Sequence, residues 1–154
     1  MRTLVIAVLT AAAALPAGAP AGFELWKSGE LQGFEKKLSP KMSAQKVATQ
    51  ALGSYGNHSF LVAHREGDGE AELHETQNDV MVIASGEATL VVGGTVVGPK
   101  TTAPHEIRGP SIKGGEKKAL AAGDVVHIPV NVPHQMLVAA GKQVTYFVVK
   151  IAAQ

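Results

Sequence analysis

Glu72, His74 and Asp79 fall within one short stretch, Gly69-Glu70-Ala71-Glu72-Leu73-His74-Glu75-Thr76-Gln77-Asn78-Asp79, that otherwise reads as strand. Side chains on a strand alternate between faces, so Glu72 and His74, two apart, point the same way. A short turn through Thr76-Gln77-Asn78 returns the chain so that Asp79, opening the apolar run Val80-Met81-Val82-Ile83, comes back beside His74. One imidazole and two carboxylates aimed at one point suit a divalent cation. A second stretch, Gly123-Asp124-Val125-Val126-His127-Ile128-Pro129-Val130-Asn131-Val132-Pro133-His134, is an apolar strand, a rigid turn carrying two prolines, and a further histidine.

Together these stretches resemble the two motifs of the cupin superfamily. The first family motif is Gly-x5-His-x-His-x3–4-Glu-x6-Gly, and the chain offers Glu72-x-His74-x4-Asp79-x6-Gly86. The second is Gly-x5-Pro-x-Gly-x2-His-x3-Asn, and the chain offers Gly123-x5-Pro129-x-Asn131-x2-His134. Glu72 stands where the family usually has its first histidine, Asp79 where it has glutamate, Asn131 where it has glycine and Val138 where it has asparagine. The resemblance implies a jelly-roll barrel of six to eight antiparallel strands, with Glu72, His74, Asp79 and His134 as its metal set. Both carboxylate replacements are themselves ligand types. Two carboxylates side by side in a barrel would repel unless a cation lay between them. Two imidazoles with two carboxylates neutralise a divalent ion, and the set fits Zn, Mn, Fe or Ni. The alternative is a hydrogen-bonded polar plug in a barrel without metal.

The elements that must position these residues read as follows. Phe23 to Leu38 has helical periodicity, with Leu31, Phe34 and Leu38 on one face. Ser39-Pro40 ends it and has the form of an N-cap and first turn for a second helix, whose stripe would be Val47, Ala48, Ala51 and Leu52. Residues 22–57 thus form a helical segment for packing or dimerisation, and 58–154 the barrel. Strands are expected at Ser59–Arg65, Glu70–Glu75, Val80–Ser85, Ala88–Val92, Thr95–Val97, Lys117–Ala121, Val125–Ile128, His134–Ala139 and Gln143–Ile151, with hairpins at Gly86 and at Gly93-Gly94. Gly98 to Gly115 reads as a long loop with at most short strands. Many short strands separated by turn signals point to a closed all-β architecture.

The strand assignments nominate further residues. Met81, Met136, Tyr146 and His64 are candidates for the wall of a small-molecule pocket. Glu106 and Arg108 in the long loop form either a lid pair or a solvated ion pair, and His58, His105 and His127 have no evident role.

Residues 1–21 have a positive start, an apolar run from Leu4 to Leu15, and small residues ending Ala19-Pro20-Ala21, the parts of a secretory signal peptide. Export to the periplasm or outside the cell is expected. Without Arg2 the formal charge falls from +1 to zero, which offers nothing to nucleic acid or to a membrane surface once the signal is gone. With no cysteine, neither disulfides nor thiol chemistry is available. The sequence thus points to an exported barrel with one divalent transition metal, taking a small polar molecule such as a sugar acid, hydroxy acid or enediol. A non-catalytic binding barrel is the other reading, and a homodimer is an expectation borrowed from the family.

Overall fold

The computed structural model describes residues 18–153; the signal-peptide stretch lies almost wholly outside them. Among the described residues one α-helix, α1 (Ser28–Leu38), precedes twelve strands. These are β1 (Val47–Tyr55), β2 (His58–Arg65), β3 (Ala71–His74), β4 (Gln77–Val92), β5 (Thr95–Val97) and β6 (Lys100–Ala103), then β7 (Glu106–Gly109), β8 (Ser111–Lys113), β9 (Glu116–Ala121), β10 (Val125–Ile128), β11 (His134–Leu137) and β12 (Val144–Ala152). The strands make one curled antiparallel sheet in the order β1-β2-β12-β4-β11-β3-β7-β6, with β9 and β10 also on β4, and a ribbon of β5 with β8. The all-β jelly-roll architecture read from the sequence is the observed one, with one helix ahead of it.

The long strand β4 organises the curl. Its first half pairs with β12 and β10, and its second half with β11 and β9. Gly86, expected as a hairpin, is instead the bend inside this continuous strand. Its φ is +77°, and a Cβ there would collide with the Gln143 carbonyl oxygen. Only glycine combines that backbone region with so close an approach. Gly93 and Gly94 also have positive φ, yet they do not close a two-strand hairpin, because β5 pairs with β8.

The second N-terminal helix is absent. Ser39–Lys41 is a single 3-10 turn, and Val47 to Tyr55 is strand β1, paired along its length with β2. The helical stripe through Val47, Ala48, Ala51 and Leu52 also contains a workable strand, because the β-branched Val47 and Thr49 and the closing Tyr55 favour extended backbone, and the β2 edge supplies the ladder. Tertiary pairing overrode the helical spacing.

Two apolar clusters follow from strand alternation. Inside the curl lie Ala63, Met81, Ile83, Leu90, Leu120, Ile128, Met136, Val138, Val144, Tyr146 and Val148. Outside it, Phe34 and Leu38 of α1 pack on Val62 and Ala48. Trp26 lies against Phe60 and Phe147 on this outer face, with ring centroids 5.1 and 5.3 Å away.

Candidate metal centre

The inward side chains of β3, β4, β7, β11 and β12 converge at one end of the barrel. On β3, Glu72 and His74 face inward, and Glu72 is registered against both Arg108 of β7 and His134 of β11. On β4, Asp79 faces inward, registered against Lys150 of β12. The turn before His134 is held by Asn131, whose N–H donates to His74 O at 2.8 Å. Asn131 has φ +60°. Asparagine is among the few residues that enter this left-handed region readily, so it can fill the motif's usual glycine position.

The two imidazoles are oriented by partners behind them. His134 Nδ1 lies 3.1 Å from Val132 O; a carbonyl only accepts, so the proton sits on Nδ1 and Nε2 carries a lone pair. Burial pushes the His134 pKa down, against the pull of the Glu72 and Asp79 carboxylates, and keeps the ring neutral. Nε2 is fully buried and has no hydrogen-bond partner. His74 Nδ1 lies 2.7 Å from Glu106 Oε2, which likewise places the proton on Nδ1 and aims Nε2 at the same point. A carboxylate behind a ligating histidine is a common outer partner of metal sites.

His74 Nε2 lies 3.6 Å from Glu72 Oε2, and His134 Nε2 lies 3.9 Å from it. One atom each from Glu72, His74 and His134 falls within 4.8 Å of the others. An ion with bonds of about 2.1 Å sets its ligand atoms roughly 3–4 Å apart, so the three could hold one divalent ion after a small inward shift. Asp79 Oδ2 is 3.3 Å from His74 Nε2 and 3.8 Å from His134 Nε2. Of the four residues expected at the centre, Glu72, His74 and His134 form the group that could hold an ion, and Asp79 adjoins it beside the two imidazoles.

Three cations share the space. Lys150 Nζ donates to Asp79 Oδ1 at 2.9 Å and Oδ2 at 3.1 Å, and lies 3.0 Å from His74 Nε2. Arg108 donates to Glu72 Oε1 at 2.6 Å. Arg65 lies 3.5 Å from the same oxygen and donates from Nε to Tyr146 Oη at 3.0 Å. Burial works to raise the Glu72 and Asp79 pKa values, but the surrounding cations and histidines outweigh it and hold both below the ordinary carboxylate range. For His74, burial works downward, while Asp79 and Glu106 more than compensate and raise its pKa. Its Nε2 is therefore contested: Lys150 needs its lone pair, whereas Asp79 would accept its proton. The shorter Lys150 contact favours the lone pair.

The inner ligand residues are closed in, His74, Asp79 and His134 showing 2–4% of their side chains. Around them Glu72, Lys150, Glu106 and Arg108 retain between 18% and 31% of theirs and form a wetted collar.

Met81, Met136 and Tyr146 lie on the interior face as expected, packed in the barrel core rather than around an open pocket. His64 is not with them. It shares the outward parity of Val62, is fully buried, and bonds Thr145 Oγ1 at 2.8 Å and Glu66 Oε1 at 3.1 Å. Its expected place in the pocket wall is therefore corrected; Leu61, Ala63 and Arg65 are inward residues of β2. His105 pairs with Glu75 at the surface, and His127 is exposed.

Sequence reasoning missed Arg65 and Lys150 and left Glu106 and Arg108 as a lid or solvated pair. The signal was parity. Lys150 shares the register of Tyr146 and Val148, and Arg65 that of Ala63. Glu106 and Arg108 alternate on β7, which extends the sheet beside β3.

No protein-family model matches the chain, and a search of curated proteins found no match. Solved structures do match. A cupin 2 conserved barrel domain protein from Rhodopseudomonas palustris is 22% identical with TM-score 0.50, covering 70% of this chain and 62% of that one. The protein TT1209 from Thermus thermophilus is 18% identical with TM-score 0.55, covering 76% and 92%. KdgF from a Halomonas species is 12% identical with TM-score 0.51, covering 71% and 82%.

Proposed function

The chain has the cupin fold, and from that premise we propose that it is an exported metal-binding cupin acting on a small polar organic molecule. Glu72, His74 and His134 would hold one divalent transition ion, with Asp79 as fourth ligand once Lys150 yields it. The observation that carries the reading is His134 Nε2, a buried lone pair with no hydrogen-bond partner. Leaving such an atom unpaired costs about 1–3 kcal/mol, and coordination would remove that cost. Export rests on the leader-like residues 1–21 alone.

When bound, the ion supplies Lewis-acid polarisation of an oxygen on the ligand. The chain's own residues do the rest. Glu106 fixes the His74 ring, Val132 O fixes the His134 tautomer, and the apolar interior behind Met81 and Met136 keeps water from the inner side. Glu72 and Asp79, held ionised, would offer charged oxygens to the ion.

Lys150 supports a second reading. Its ammonium already lies on Asp79 and His74, so a metal-free barrel that binds its ligand by charge and hydrogen bonds is physically consistent. Crystals grown with Mn(II), Zn(II), Fe(II) or Ni(II) separate the two by anomalous scattering. A peak bounded by Glu72, His74 and His134 supports the metal centre. A structure with no peak for any ion, and Lys150 still on Asp79, supports the metal-free barrel.

A further inference from the structure

The balance of charge around the centre names a class of ligand. The converging side chains are three carboxylates, Glu72, Asp79 and Glu106, and three cations, Arg65, Arg108 and Lys150, and an imidazole that ligates an ion is neutral. Their formal charges cancel before any ion arrives. The proposed divalent ion therefore leaves the centre at +2, where the four ligands considered alone would have given zero. An excess of that size in a largely desolvated site is costly unless an anion joins it. A neutral polyol or enediol would leave the charge standing.

The same geometry says which residues meet that anion. An ion that takes the His74 Nε2 lone pair and Asp79 displaces the Lys150 ammonium, which now bonds both. Lys150 stands on a flexible stem at the wetted collar, with 21% of its side chain exposed. Arg108, at 31%, gives Nη1 to Glu72 and keeps Nη2 3.9 Å from Glu106, beyond hydrogen-bond distance. Both retain donors that can turn outward.

We propose, building on the metal-centre reading, that Lys150 and Arg108 bind the carboxylate of an anionic substrate, an α-hydroxycarboxylate or similar chelating acid. Lys150 is thereby the specificity-determining residue, exchanging its Asp79 and His74 contacts for the substrate when the ion is present. Affinity for ion and acid is consequently linked, each raising the other.

The test is calorimetric. The purified chain, loaded with Zn(II), is titrated with lactate and with neutral lactamide, and Zn(II) affinity is measured against a chelating dye. Wild type is compared with Lys150→Met and Lys150→Arg. One charge-assisted hydrogen bond corresponds to about tenfold or more in affinity. Lactate is expected to bind the loaded wild type at least about tenfold tighter than lactamide does. Lys150→Met is expected to lose that preference and to bind Zn(II) more tightly, and Lys150→Arg to keep the preference. Equal binding of lactate and lactamide to loaded wild type overturns the proposal, and that comparison stands even if Lys150→Met does not fold. Lactate affinity unchanged in a folded Lys150→Met also overturns it. Zinc held without lactate binding sinks this inference and leaves the metal centre standing; no zinc held by wild type or variant ends both.

Discussion

Two strands, β4 and β12, cross the barrel side by side, and the two ends of their shared inward ladder are chemically opposite. Tyr146 faces Ile83 and Val148 faces Met81, but the next rung pairs Lys150 with Asp79. Within three rungs the interior passes from a close-packed apolar core to a cluster of titratable and charged side chains. The apolar end stabilises the fold through burial. At the charged end, ion pairs gained on folding are largely offset by desolvation, so their net contribution is small. What the charged end secures is geometry: two fixed imidazoles, two ionised carboxylates and a cation that can leave.

The largest expected effect lies at the apolar end. Ile83→Ala removes a side chain that is 1% exposed and is expected to cost about 2–5 kcal/mol of unfolding free energy. Denaturant titration measures this. Metal binding per folded molecule should stay at the wild-type level; if it fell in step with stability, the two ends would not be separable.

His64 tests the wall between inside and outside. It ties Thr145 of β12 to Glu66 on the outer face, so His64→Ala should cost about 1–3 kcal/mol through its unpaired neighbours. Ion affinity should not change. A substantial loss of affinity with stability intact would restore His64 to the site.

Acid acts on the charged end rather than on the apolar core. Glu72 and Asp79 have pKa values below their ordinary 4.5 and 3.8 in the folded metal-free protein. Their contribution is therefore complete above those values and is lost as pH falls through the lower folded ones. Unfolding free energy of metal-free wild type should drop below about pH 4.5, and a Glu72→Gln, Asp79→Asn variant should show a flatter profile in that window.

Glu106→Gln should be the mildest for the fold, within about 1 kcal/mol, because the residue is partly exposed. It keeps a hydrogen-bonding group beside His74 Nδ1 but weakens the ring's orientation and basicity. Ion affinity should fall about 10–100-fold, measured against a chelating dye. No change in affinity would remove Glu106 from the account.

The contrast between the two ends also explains what the sequence made legible. A strand period and a turn locate Glu72, His74 and Asp79 relative to one another, whereas His134, paired with Glu72 across the sheet, is reached through the resemblance to the second cupin motif. The apolar positions of β4, β11 and β12 were readable from alternation. Lys150 was not, since its role arises from a register with Asp79, which lies far away in sequence. Arg65 is likewise defined by its reach to Glu72, and Arg108 by β7 lying against β3. In β1 and at Gly86 local patterns were ambiguous, and long-range pairing decided the outcome.

Elemental analysis of the purified chain, beside a Glu72→Ala, His134→Ala double variant, tests the central claim most directly. The account expects close to one transition-metal ion per chain in wild type, after reconstitution if it is purified empty, and none in the double variant. Wild type that takes up no ion, or a double variant that retains it, would contradict the metal centre and leave Lys150, Arg65 and Arg108 as the cations of the site.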